Sequence, residues 1–170
     1  KDPFFKRLQT SPACPAPPSV PSTYIPFGFM SEDVICGDAN NMLPGATLYH
    51  FGVLTSAMHM AWMRCICGRI KSDFRYSAGI VYNNFPWPQN ISDKQREKIQ
   101  NCAEAVLEAR KQFPNSSLAD LYDPLAMPPA LMKAHQALDK AVDAAYRTAP
   151  FTSDEDRLAY LFGLYEELTR

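Results

Sequence analysis

Hydrophobic and polar positions divide the chain into two differently patterned stretches that meet near Pro88. Beyond that residue the apolar positions recur at helical spacing. Ser92-Asp93-Lys94-Gln95 has the form of a capping box, in which serine and glutamine satisfy backbone N–H groups at a helix start. Ile99, Cys102, Ala103, Val106 and Leu107 then form one stripe, ended by Phe113-Pro114. A short turn is expected at Leu118–Tyr122. Pro128-Pro129 opens a second long helix to about Arg147, with Leu131, Ala134, Leu138, Ala141, Val142 and Ala145 inward. Thr152-Ser153-Asp154-Glu155 starts a third, with the stripe Leu158, Leu161, Phe162, Tyr165 and Leu168. Its acidic first turn suits the helix dipole. Residues 89–170 therefore read as an antiparallel helical bundle.

Before Pro88 the pattern is mixed. Residues 1–22 hold six prolines and read as an extended segment. Residues 23–29 suggest a strand with an edge proline, and Val34-Ile35-Cys36 a second short one. Gly37-Asp38-Ala39-Asn40-Asn41 reads as a tight turn. From Pro44 the spacing turns helical through Leu48, Tyr49, Phe51, Val53 and Leu54. Ser56 is a natural N-cap for a helix over 57–67, with Met58, Ala61, Trp62, Cys65 and Ile66 inward and Gly68 as its left-handed stop. A strand over 69–76 follows. Lys71, Asp73 and Arg75 alternate in it with Ser72, Phe74 and Tyr76, so the three charges would leave one face. Phe85-Pro86-Trp87-Pro88 can continue neither a helix nor a central strand, because proline has no N–H. The fold class expected is α+β, a small loop-rich partial sheet with helices followed by the bundle.

Bulk composition narrows the function classes. A hydrophobic content of 46% and a charged content of 21% are ordinary for a globular protein. No apolar run approaches the roughly 20 residues that span a bilayer, and the start has no signal-peptide core. The first residue is not Met, which suggests a piece of a longer chain. Five scattered cysteines without a C-x-x-C pair point to reduced thiols in a cytoplasmic protein rather than a zinc site or disulfides. The N-x-S sequons at Asn90 and Asn115 are then incidental. Formal net charge is −1, but residues 1–88 carry seven Lys/Arg against five Asp/Glu, a net of +2. Four of those seven lie between Arg64 and Arg75, so the positive charge is local.

No nucleophile–base arrangement is apparent. His50, His59 and His135 are scattered and have no carboxylate at ligand spacing, and there is no glycine-rich phosphate loop. Asn83-Asn84-Phe85-Pro86 has the wrong order for the Asn-Pro-Pro-aromatic motif of amino-methyltransferases. No catalytic or metal-binding residue is expected in this chain. For Lys71, Asp73 and Arg75 the plain reading is a solvated strand face. The sharper one is base recognition: lysine donates to O6 and N7 of guanine, and aspartate accepts from N4 of cytosine. Alternate residues of a strand lie ~6–7 Å apart, so two of them can address both bases of one pair. Arg75 would reach the next pair, while Arg69 and Arg64 would hold phosphates. The Asp38-Ala39 turn is a second place with short polar groups on a loop.

Longer motifs favour the second reading. Tyr24-Ile-Pro-Phe-Gly-Phe, Leu48-Tyr49-His50-Phe51-Gly52-Val53-Leu54, Met58-His59-Met60-Ala61-Trp62-Met63, Gly68 to Ser77 and Val81 to Pro88 resemble the C-terminal region of MmeI-like type IIG restriction-modification enzymes. So do Ser117 to Pro124 and Met127 to Leu131, whereas residues 1–22 resemble it poorly. The resemblance implies a parent adenine-N6 DNA methyltransferase that uses S-adenosylmethionine, with catalysis, and any fused endonuclease, upstream of this chain. It implies that residues 23–88 end a DNA target-recognition domain, that 89–170 form a helical C-terminal domain, and that no cofactor binds here. Double-stranded DNA and the upstream methyltransferase domain are the implied partners, without a membrane, in a bacterial cytoplasm. It also implies base reading by Lys71, Asp73 and Arg75 and by Asp38 and Ala39, with lysine at 71 and aspartate at 73 specifying a G·C pair. The alternative is a helical protein-interaction module that reads no bases.

Overall fold

A computed structural model describes residues 7–10, 13–14, 24–31, 34–35, 41–70 and 73–170, with the backbone alone for 7–10, 13–14, 69, 70, 73 and 75. Among these, the order is β1 (Arg7–Thr10), β2 (Ala13–Cys14), β3 (Phe27–Met30), β4 (Asn41–Leu43), α1 (Leu48–Thr55), α2 (Ala57–Ile66), β5 (Gly68–Ile70) and β6 (Asp73–Arg75). A π-helical turn (Ala78–Tyr82) follows, then α3 (Asp93–Lys111), α4 (Leu118–Leu121), α5 (Pro129–Tyr146) and α6 (Asp154–Thr169). The α+β class and the helical second part are as expected. Two strands, however, fall in the proline-rich start. β1 is the centre of a sheet ordered β3-β1-β4, and β2 is the edge of another ordered β2-β6-β5.

Local chemistry accounts for the element ends. Ser92 accepts from the Gln95 N–H while Gln95 reaches back to the Ser92 N–H, the expected capping box. Ser117 and Asp120 repeat that arrangement at α4. Gly45, at φ +68°, takes the left-handed conformation that turns the chain from β4 towards α1. Ser56 does sit at the start of α2, but its hydroxyl donates to the Val53 carbonyl. Asp139 of α5 instead accepts the orphaned Ala57 N–H at 2.7 Å. Gly68 is the first residue of β5 and not a left-handed stop, since α2 ends in extended backbone at Cys67. Residues 34 and 35 belong to no strand, and Ile35 is 95% exposed.

The core runs through both parts. Phe51 and Val53 of α1, Met58, Met60, Trp62 and Met63 of α2, Ile99, Ala103 and Val106 of α3, and Leu131, Leu138 and Val142 of α5 are buried in one cluster. α3 packs on α5 and α1, and α2 packs on α6. Gly52 makes the α1–α3 contact close: a Cβ there would lie 2.7 Å from Ile99 Cγ2 and 3.3 Å from Ala103 Cβ. Three expected inward positions are exposed instead. Cys65 is exposed, and on α6 only Leu161 of the expected stripe is fully buried, with Phe162 39% and Leu168 52% exposed.

Candidate nucleic-acid interface

Between Arg64 and Pro88 a strand pair stands on a buried aromatic base. β5 and β6 run antiparallel, with Gly68 opposite Arg75, Arg69 opposite Phe74 and Ile70 opposite Asp73. The single strand expected over 69–76 is therefore a hairpin, because the chain reverses between Ile70 and Asp73. Lys71, the first of the three alternating charges, lies outside the described residues. Asp73 and Arg75 do keep alternate positions on β6, flanking Phe74, which is buried at 7% exposure. Asp38 and Ala39 also lie outside the described residues, just ahead of β4. Arg69 is in β5.

Arg64 has a partner within the chain. Its guanidinium meets the Asp154 carboxylate at 2.7 Å, fastening α2 to α6. Asp154 also meets Arg157 at 3.4 Å, and Arg157 is paired with Asp143 of α5 at 2.7 Å. Three helices thus share one ion-pair network.

The base beneath the hairpin is built from rings. Tyr76, directly after β6, is bonded through its hydroxyl to Nε2 of buried His59 at 3.0 Å, and the two rings stack with centroids 5.7 Å apart. Burial holds His59 down at about 3 and pushes the Tyr76 phenol up, so this pair is neutral over the ordinary pH range. The Asn41 side chain donates to the Tyr76 carbonyl at 3.4 Å. Trp62 Nε1 donates to the Val81 carbonyl at 3.1 Å, which holds the π-helical turn to α2. Trp87 packs against Tyr49, His50, Tyr82 and Phe85, and Tyr146 donates to the Pro86 carbonyl at 3.0 Å. The Phe85–Pro88 exit is thereby locked onto α1 and α5.

Each of the three histidines has a hydrogen-bond partner within the chain. His50 Nδ1 accepts from the Thr47 N–H at the start of α1. His135 is buried, bonded to the Tyr122 hydroxyl at 2.7 Å, and held down at about 3 by burial and then by Arg110. Among the described residues no group of His, Cys, Asp or Glu is placed to hold a metal ion. Sequence reasoning missed Asn41, Tyr76, Arg110 and Asp139, whose roles depend on distant partners. Arg110, on α3, donates to the Phe27 carbonyl and to the Tyr122 hydroxyl in the interior. For Tyr76 the available signal was an aromatic adjoining three alternating charges.

A hairpin of short strands seated on aromatic packing and braced by helices, with charged residues at alternate positions of β6, is an arrangement suited to a recognition module. Comparison with known proteins agrees. The family profile described as "MmeI, target recognition domain" matches residues 5–89, and "MmeI, C-terminal domain" matches residues 91–170. The chain belongs to the MmeI family, as a target recognition domain followed by that family's C-terminal domain. It is 41% identical over 155 residues to DNA methyltransferase A of Bacillus subtilis (strain 168), covering 89% of this chain and 17% of that protein. It is also similar to the type IIL restriction-modification enzyme MmeI, solved in complex with DNA, with a TM-score of 0.90 and 42% identity over 99% of this chain and 22% of that one. The chain spans less than a quarter of the length of either relative. The recognition-domain match begins within the segment where the sequence motifs resembled the family poorly.

Proposed function

We propose that this chain reads a double-stranded DNA sequence on behalf of a longer restriction-modification protein that methylates adenine at N6. The observation that carries the reading is the β5–β6 hairpin within a stretch matching a target recognition domain. In the major groove each base pair presents a distinct set of donors and acceptors, and charged side chains carried by this hairpin have the chemistry to meet them. Asp73 and Arg75 are the described base-reading candidates. Lys71 and, ahead of β4, Asp38 and Ala39 complete the proposed set. Arg69 is proposed for phosphate contact. Arg64 was assigned that role from sequence, but its pairing with Asp154 favours bracing of α2 instead. Residues 23–88 would do the reading and residues 89–170 would hold them rigid.

Methyl transfer is proposed for the rest of the parent protein. S-adenosylmethionine would supply the methyl group there. Among the described residues, one cleft between β4, α1 and the π-helical turn is walled by Phe27, Leu43, Leu54 and Tyr82 and is largely apolar. Another, between α5 and α6, has Asp143 and Arg157 already paired to each other. No step of the transfer is assigned to these residues. Among the described residues no helix is long and apolar enough to cross a membrane, and a bacterial cytoplasmic setting is proposed from the relative.

Competition binding by the full-length protein tests this reading, using its mapped site and duplexes altered one base pair at a time. Arg75→Ala should weaken discrimination at one base pair by about 1–3 kcal/mol. Equal discrimination at every position would show that Arg75 reads nothing.

A further inference from the structure

The two strands next to the candidate reading residues, β4 and β6, belong to different sheets but meet at Tyr76. This residue follows Arg75 directly and is 5% exposed. Its carbonyl accepts from Asn41, the first residue of β4, at 3.4 Å. Its hydroxyl is bonded at 3.0 Å to His59 on α2. Phe27 packs edge-on against both rings, with centroids 6.0 Å from Tyr76 and 6.2 Å from His59. The backbone makes the same junction independently. Thr10 of β1 pairs with Asn41, and Ala13 of β2, three residues later, pairs with Arg75. One short segment therefore reaches from the start of β4 to the end of β6.

We infer that Tyr76 is a positioning residue that couples the two candidate reading segments, fixing the end of β6 against the start of β4. The inference rests on the base reading proposed above. Base contacts depend on hydrogen bonds of about 2.7–3.2 Å with restricted angles, so a small shift of either segment weakens them. Tyr76 is held at both ends: its hydroxyl to a buried helix, its carbonyl to the neighbouring strand. It directly follows the strand that bears Asp73 and Arg75, and its partner Asn41 closely follows Asp38 and Ala39 in sequence. Sequence read by one segment then depends on the placement of the other. A core tyrosine that only filled space would affect stability without linking the two readings.

The test uses the full-length protein carrying Tyr76→Phe, Asn41→Ala or, as a reference, Asp73→Ala. Affinity is measured for the mapped site and for duplexes altered one base pair at a time, at several salt concentrations. Tyr76→Phe and Asn41→Ala are expected to lower discrimination roughly tenfold at two base pairs together, the scale of a single base contact, with an unchanged salt slope. Asp73→Ala should lower it at one pair. Discrimination lost at one pair only, or binding weakened equally for all duplexes, overturns the coupling. If Asp73→Ala leaves discrimination intact, the base reading fails and the coupling falls with it, an outcome distinct from failure of Tyr76 alone. Should Tyr76→Phe fail to fold, Asn41→Ala, at a half-buried position, decides the matter.

Discussion

Buried polar side chains set the chemistry of this molecule at the scale of single residues. His59 and His135 are both held down at about 3, mainly by burial, against an ordinary value of 6.5. A depressed histidine leaves the unfolded chain binding more protons below pH 6.5, so stability is lost as pH falls from there towards 3. Each histidine contributes about 1.4 kcal/mol per pH unit in that window. Asp139 opposes them between 3.8 and 6. Burial raises its carboxyl to about 6 although the Tyr24 hydroxyl and the Ala57 N–H donate to it, so the folded state there binds the extra proton. Urea unfolding of the chain should therefore show stability about 2–3 kcal/mol lower at pH 5 than at pH 7. An unchanged midpoint and slope would mean that the two histidines are not neutral and buried as described. Arg110 is a charged side chain buried to 9% exposure. Arg110→Met removes the donor to the Phe27 carbonyl and the Tyr122 hydroxyl, and should cost about 2–4 kcal/mol in the same assay. These roles were illegible in the sequence because the partners are remote: Asp139 lies 82 positions from Ala57 and 115 from Tyr24.

Elements whose signals are local were readable, and those made by distant pairing were not. α3, α5 and α6 begin where their caps and prolines put them, since a capping box acts within four residues. β1 and β2 fell within a proline-rich start and gain their strand character from β3, β4 and β6, far along the chain. The hairpin was hidden for a related reason. Alternation through Lys71, Asp73 and Arg75 has the period of a strand, and the reversal after Ile70 carries no glycine or proline to announce it. Helix α1 has its own constraint at Gly52. Gly52→Ala would improve helix propensity by up to ~1 kcal/mol, yet the new methyl would strike Ile99 and Ala103. Overpacking of that kind costs about 1–3 kcal/mol, so the variant should unfold at lower temperature than the parent chain. A raised melting temperature would show that α3 has room to retreat.

For the whole molecule, two family matches meet at residues 89 and 91 while the hydrophobic core does not divide there. Phe51 and Trp62, from the recognition part, are buried in a cluster shared with α3 and α5 of the C-terminal part, and Phe162 and Tyr165 of α6 pack on Trp62. A chain ended after Gln89 should thus lose its near-UV circular dichroism and cooperative unfolding, whereas a cooperative transition matching the intact chain would show that the first part folds alone. The two parts therefore share one core beneath the hairpin. Base reading by the hairpin, as proposed, is tested most directly by the double substitution Lys71→Glu with Asp73→Arg in the full-length protein, followed by mapping of the recognised DNA sequence. A change at one base pair, with the other positions kept, is the predicted result; an unchanged recognition sequence would contradict it.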